Sequence, residues 1–169
     1  RALAGSLIAR QLDAMAVSQS WLCWIETDPC SLAQAPADLR DDFHVCLQAV
    51  RQDGRALEFV SPGLRGDRDL VVAALRVHGR SLAHASPELR ADRDVVSEAV
   101  RQDGMALEFA APDLQATREI VLEAVAQNGL ALQFATLALR NDRDCALCAA
   151  EQNGWAMEFV TEEKLRLDR

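Results

Sequence analysis

Leu89 to Asp113 reads LRADRDVVSEAVRQDGMALEFAAPD, and the same pattern recurs on both sides of it at a spacing of 25 residues. LRDDFHVCLQAVRQDGRALEFVSPG from Leu39 and LRGDRDLVVAALRVHGRSLAHASPE from Leu64 precede it. LQATREIVLEAVAQNGLALQFATLA from Leu114 and LRNDRDCALCAAEQNGWAMEFVTEE from Leu139 follow. The five units run on without insertion, and Gly54, Gly79, Gly104, Gly129 and Gly154 mark the same slot in each. A fixed period of this length is the signature of structural units that cannot bury their apolar faces alone and stack to do so.

The middle unit supplies the local reading. Asp92 is a good N-cap, because its carboxylate can accept from amides two or three residues on, and Asp94 adds negative charge at the positive helix end. Val95, Val96, Ala99 and Val100 then form one apolar face at helical spacing. Gln102, Asp103 and Gly104 end the helix, and the glycine is expected in the left-handed conformation that closes many helices. This predicts a helix of about eleven residues, roughly 16 Å long. Ala106, Leu107, Phe109 and Ala110 make a second apolar stretch, too short to stand alone, which has to dock on the first. Ser61-Pro62 and Ser86-Pro87 read as the cap and first position of a further single turn that carries Leu64 and Leu89 inward. The expected architecture is all-α, a short α-solenoid of about five 25-residue repeats whose stability sums unit and nearest-neighbour contributions.

The columns of the repeat have distinct roles. Ala49, Ala74, Ala99, Ala124 and Ala149 share a slot where helices approach closely, and enlarging the side chain there should cost about 1–3 kcal/mol. Phe59, Phe109, Phe134 and Phe159 fill another, with His84 in place of the fifth ring. Trp21 to Asp38 aligns as a decayed unit with Pro29 in the glycine slot, and the tail KLRLDR begins a further one. The chain therefore divides into N-terminal helices with a degenerate cap (1–38), five repeats (39–163) and the start of a C-terminal cap (164–169).

Length and charge bound the rest. A chain of 169 residues is long enough for one domain with a true core, burying roughly 68–70% of its unfolded surface. The longest apolar run, Leu70 to Leu75, spans six residues, far short of a membrane-crossing helix. The net charge of −8 argues against nucleic acid, which calls for clustered Lys and Arg. Cys23, Cys30, Cys46, Cys145 and Cys148 lie in a chain too well supplied with aliphatics to need disulfides, so a reducing compartment is expected. The opening RALAGSLIARQL has two Arg and no acid, and reads either as the trimmed first helix or as the tail of a cleaved transit segment that would place the protein in an organelle.

With its DRD or TRE followed by QDG or QNG, recurring from residue 39 to 163, the sequence resembles the domain of unknown function 4116 repeat family. The resemblance implies a helical repeat array, found largely in algae and other single-celled eukaryotes, and it carries no catalytic residue and no cofactor across. Unit two departs from the pattern, with Val77-His78 in place of Gln-Asp and His84 in place of Phe.

Cys145 and Cys148 form a CxxC on one helix face, but a structural zinc site wants four ligands, and Cys23 and Cys30 are expected on the order of 40–50 Å away at 8–10 Å per packed helix. Cys145 falls in the core column of Val45, Leu70, Val95 and Ile120, so idle thiols are the expectation. His44, His78 and His84 have no recurrent nucleophile beside them, and the glycines come singly rather than in a phosphate-binding loop. Arg40, Arg65, Arg90 and Arg140 accompany Asp42, Asp67, Asp92 and Asp142 and are expected as caps and solvated ion pairs. Glu58, Glu108 and Glu158, in alternate units, are candidates for an acidic face that meets a partner protein. Trp21, Trp24 and Trp155 are expected as buried aromatics filling gaps in terminal units; left exposed, they would anchor a partner.

These features predict a non-enzymatic scaffold for protein–protein interaction that takes no cofactor. The alternative is an accessory subunit of a large photosynthetic or respiratory assembly, which the family's distribution suggests. A thiol- or metal-dependent activity at Cys145 and Cys148 is the third reading.

Overall fold

The computed structural model describes residues 21, 23–25 and 27–161. The readings of the first twenty residues, including the transit segment, and of the terminal unit at 164–169 lie outside the described residues. Five long helices carry the repeat: α1 (Phe43–Gln52), α2 (Arg68–Val77), α3 (Arg93–Gln102), α4 (Arg118–Gln127) and α5 (Arg143–Gln152). Each is followed by a six-residue 3₁₀ helix that opens on the marker glycine: Gly54–Phe59, Gly79–His84, Gly104–Phe109, Gly129–Phe134 and Gly154–Phe159. Single helical turns lead into the long helices, as at Pro87–Arg90 and Pro112–Gln115. Among the described residues there is no strand. Each long helix packs on the next, each 3₁₀ helix on the next, and every long helix from α2 onward also meets the 3₁₀ helix of the unit before it. The result is a two-layered, all-α solenoid.

The predicted helix starts are those observed. Asp92 accepts from the amides of Asp94 and Val95, Asp42 from His44 and Val45, Asp67 from Leu70 and Asp142 from Cys145. Thr117 holds the same slot without capping, its hydroxyl donating instead to the Asp113 carbonyl at 2.9 Å. The single turns differ in one unit. Ser86 caps Pro87–Arg90, whereas after Ser61 only the 3₁₀ turn Leu64–Gly66 forms, between two glycines. A backbone bond from Ser61 N–H to the Arg40 carbonyl, repeated at Ser86–Arg65, Ala111–Arg90 and Thr136–Gln115, ties each single turn to the one 25 residues earlier.

The core is continuous and follows the columns. Ala49, Ala74, Ala99, Ala124 and Ala149 are completely buried, as are Leu57, Leu82, Leu107 and Leu132 on the 3₁₀ layer. Each such leucine contributes about 1.5–3 kcal/mol on burial, so the sheet of leucines along the array is a principal source of its stability.

The marker glycines do something other than expected. None of the described glycines has a positive φ. The long helix ends at one extended residue, Asp103 at φ −145° or Asn128 at φ −149°, whose side chain accepts from the amide two residues on and so caps the 3₁₀ helix that begins there. Glycine follows because there is no room for a side chain. A Cβ on Gly104 would stand 2.3 Å from the Ala124 carbonyl oxygen of the next unit, and the corresponding distances at Gly54, Gly79 and Gly129 are 2.3, 2.5 and 2.6 Å to Ala74, Ala99 and Ala149. At Gly154 no described atom lies within 4 Å.

A glutamine completes this joint. The Gln102 side-chain carbonyl accepts from Gly79 N–H at 2.6 Å while its amide donates to the Val77 carbonyl at 3.2 Å. Gln127 does the same for Gly104 and Gln102, and Gln152 for Gly129 and Gln127. Unit two lacks the device, because Val77, 39% exposed, stands where a glutamine would reach Gly54. The same unit places Ser81 in the buried alanine column, 1% exposed, with its hydroxyl unpartnered.

Two predictions test the joint, both read by urea unfolding. Gly104→Ala should cost about 1–3 kcal/mol through overpacking, whereas Gly154→Ala should be neutral or add up to about 1 kcal/mol by restricting the unfolded chain. Val77→Gln should add about 0.5–1.5 kcal/mol by supplying the missing hydrogen bonds, and Ser81→Ala should stabilise by relieving an unpaired buried hydroxyl.

Candidate interaction surface

The long helices turn one face inward and leave the other to form a ridged outer surface. Leu47, Val72, Leu122 and Leu147 occupy one slot on it, with Ser97 between. Across α1 to α3 this surface encloses a groove of about 610 Å³ with an apolar floor of Phe43, Leu47, Val72 and Ala73. Arg51, Arg68 and Arg76 line it together with Asp69, Asp94 and Glu98.

Those charges are arranged by the period. Arg68 reaches Asp92 at 2.7 Å and Asp94 at 3.4 Å in the next unit; Arg118 reaches Asp142 at 3.6 Å and also pairs with Asp144. Arg93 approaches Glu119 at 4.0 Å. A second ladder joins Arg76 to Glu98 at 2.8 Å and Arg101 to Glu123 at 3.1 Å. These pairs are partly or largely exposed, so each contributes about 0–1 kcal/mol, and their larger effect is to fix the sign pattern of the outer surface. Backbone bonds, led by the Cys145 amide, hold the Asp142 carboxyl below its ordinary range.

The cations of the ladder are not the ones the sequence pairing suggested. Arg65 turns back onto the 3₁₀ helix that precedes it, its Nε donating to the Val60 carbonyl at 2.9 Å and its terminal nitrogen to the Glu58 carbonyl at 2.8 Å. Gln115, in the same slot, donates to the Leu107 and Glu108 carbonyls. Arg65 and Gln115 thus tie down the end of the 3₁₀ helix before them, whereas the Nε atoms of Arg40, Arg90 and Arg140 in the same column are buried without a hydrogen-bond partner. The ion pairs to acids at the next unit's helix start belong to Arg68, Arg93 and Arg118, three residues further on.

Glu58, Glu108 and Glu158 are exposed on the 3₁₀ layer, with Ala83 and Gln133 in the intervening units, so their carboxylates stand two units apart along the column. The tryptophans depart from the capping expectation. Trp155 is 72% exposed and Trp24 56% exposed, and only Trp21 is half-buried, edge-on to Trp24 with ring centroids 5.3 Å apart. Trp155 stays exposed because it sits on the first turn of the last 3₁₀ helix, where its column mates Met105 and Leu130 are half-buried beneath a following unit.

The cysteines divide by column. Cys145 is fully buried and its thiol is pushed up to about 12, chiefly by burial and then by Asp142. Cys46, donating to the Arg40 carbonyl at 3.3 Å, is pushed up to about 11, again chiefly by burial. Cys148 is half-buried and raised by burial, then by Glu151. Such thiols stay protonated at neutral pH, where the thiolate is the reactive form. Cys23 and Cys30 are exposed. Among the described residues no group of three or more His, Cys, Asp or Glu is placed to hold a metal ion. His44 is exposed at the start of α1, and His78 and His84 are half-buried in their columns.

The repeating sequence matches a family model described as Domain of unknown function (DUF4116), over residues 21–65, 67–115 and 117–166. The chain belongs to this family. Each matched stretch of the DUF4116 model is about two of the 25-residue units long, so the model's repeat is a pair of them. No curated protein and no solved structure matches the chain. Among the described residues of this DUF4116 array, no helix is long and apolar enough to cross a membrane.

Sequence reasoning missed the glutamine joint and the groove. A signal for the first was present, since Gln52, Gln102, Gln127 and Gln152 recur two residues before the glycine. Thiol labelling at pH 8 in the native state should modify Cys23 and Cys30 rapidly and leave Cys46 and Cys145 unmodified until the chain is unfolded; mass spectrometry of the labelled peptides reads the difference.

Proposed function

We propose that this DUF4116 array is a non-enzymatic scaffold that binds other proteins. The observation that carries the reading is the exposure of Trp24 and Trp155, in a chain whose other large apolar side chains are mostly buried or half-buried. Tryptophan is enriched where few residues dominate a binding energy, and a water-exposed indole gains more by docking than any other side chain. The ridged outer surface with its apolar groove between charge ladders supports the same reading, offering area to a partner and a sign pattern to align it. Buried, protonated thiols at Cys145 and Cys46 weigh against a thiol-dependent activity, and no observation favours an accessory subunit over a free module.

The test is partner binding under conditions where the array stays folded. Native-state size analysis with mass spectrometry identifies the complex, and the purified partner is then titrated against wild type and variants. Trp155→Ala or Trp24→Ala should weaken binding by about 30-fold, the 2 kcal/mol of a dominant interface residue, with an unchanged urea midpoint. Equal affinity for both variants and wild type would remove the tryptophans from the interface.

A further inference from the structure

Both ion-pair ladders of the outer surface break at the joint between α1 and α2. The first ladder takes its cations from the column of Arg68, Arg93 and Arg118, each of which reaches an acid of the next unit. In the first unit that slot holds Phe43, so Asp69, in the column of the paired Asp94, Glu119 and Asp144, meets no cation. The second ladder joins Arg76 to Glu98 and Arg101 to Glu123, a step of 22 residues. From Arg51 the same step lands on Ala73. Arg51 and Asp69 are therefore exposed and without an ion-pair partner among the described residues.

The two residues that break the ladders also make the groove. Phe43 and Ala73 line it beside Leu47 and Val72. Arg68 and Arg76 line it too, but they are engaged by Asp92, Asp94 and Glu98 of the third unit. What is left is an apolar strip with an unneutralised carboxylate at one end and an unneutralised guanidinium at the other. In the register of the ladders, where helix starts meet helix starts, Arg51 is level with Arg76. It thus lies seven residues along the axis from Asp69, roughly 10 Å at 1.5 Å per residue.

This pattern specifies an occupant. An extended peptide would need a strand edge to pair with, and among the described residues there is none. Phe43, Leu47 and Arg51 on α1, and Asp69, Val72 and Arg76 on α2, are instead two neighbouring helix ridges, and the ridge of a third helix fits between such rows. On that helix, an acid for Arg51 and a base for Asp69 fall two turns apart on one face. An acid toward the N-terminus and a base toward the C-terminus suit the helix's own dipole, so it runs antiparallel to α1 and α2.

We propose that the groove between α1 and α2 receives an amphipathic helix of a partner protein, its apolar face on Phe43, Leu47, Val72 and Ala73, an acid on Arg51 and, seven residues later, a base on Asp69. The assignment rests on the scaffold reading and names the class of partner that one face takes.

The test uses the full chain and a fluorescein-labelled, alanine-rich helical peptide with a glutamate, leucines three and four residues after it and a lysine seven after it. A second peptide exchanges the glutamate and the lysine. In anisotropy titrations the first should bind about tenfold or more tighter than the second. Phe43→Arg with Ala73→Glu completes both ladders in the pattern of the other units. It should weaken the first peptide by about tenfold or more while the urea midpoint holds or rises. Arg51→Glu with Asp69→Lys should reverse the preference between the peptides. Leu47→Ser with Val72→Ser, which copies Ser97 in the same slot, should weaken both.

The proposal is overturned if the two peptides bind alike, or if completing the ladders leaves binding unchanged. It is also overturned if the wild-type chain self-associates in sedimentation and the ladder-completed variant does not, since the groove then serves a second copy. With a purified partner the two readings separate. Weakening by Trp24→Ala or Trp155→Ala, with no effect of completing the ladders, would leave the scaffold reading standing and remove the groove. The opposite result would support the groove and remove the tryptophans.

Discussion

The close approach of a glycine in one unit to an alanine carbonyl in the next sets the geometry of the array. At 2.3 to 2.6 Å there is no space for a methyl group, so the glycine column and the alanine column are two halves of one requirement. Helix packing at this separation brings the 3₁₀ helix of one unit against the long helix of the next, and the leucines of the 3₁₀ layer are buried as a consequence. Stability in such an array is a sum of unit and interface contributions, and this contact is the interface contribution repeated four times.

Around that contact the polar groups are economical. One aspartate or asparagine ends the long helix and caps the 3₁₀ helix, and one glutamine from the following unit satisfies both the glycine amide and a terminal carbonyl of the preceding long helix. Unit two shows what happens when parts are missing. Val77, His78 and Ser81 depart from the pattern together, yet Leu70, Val71, Ala74, Leu75 and Leu82 remain fully buried. The apolar columns and the glycine seat therefore suffice to hold the stack, and the clamps refine it.

The pattern of the outer surface follows from the same period. Charges repeated every 25 residues become ladders, and the exchange of apolar for charged residues along a column gives the surface its polarity from end to end: Arg55 and Arg80 give way to Met105, Leu130 and Trp155. Trp24 and Trp155 are the exposed tryptophans among the described residues, one in the decayed unit and one in the fifth.

The repeat, the helix starts at Asp42, Asp67, Asp92 and Asp142, the core columns and the burial of Cys145 were legible in the sequence, because caps and helical periodicity are local and each recurs several times in one chain. The role of the glycines was not. A glycine after a helix is compatible with a left-handed cap and with a steric seat, and only the position of Ala74, Ala99, Ala124 and Ala149 in the neighbouring units distinguishes them. The partner of each arginine was hidden for a related reason, since Arg65 and Arg68 are both near acids in sequence, yet Arg68 pairs with acids of the next unit while Arg65 turns back onto carbonyls of the preceding 3₁₀ helix. The exposure of Trp24 and Trp155 likewise depends on what lies beyond each end. Sequence by itself determined which residues form each unit, since that rests on propensity, capping and period. Tertiary structure decided how the units meet and what they leave uncovered, since contacts between residues 20 or more apart are set by stacking geometry.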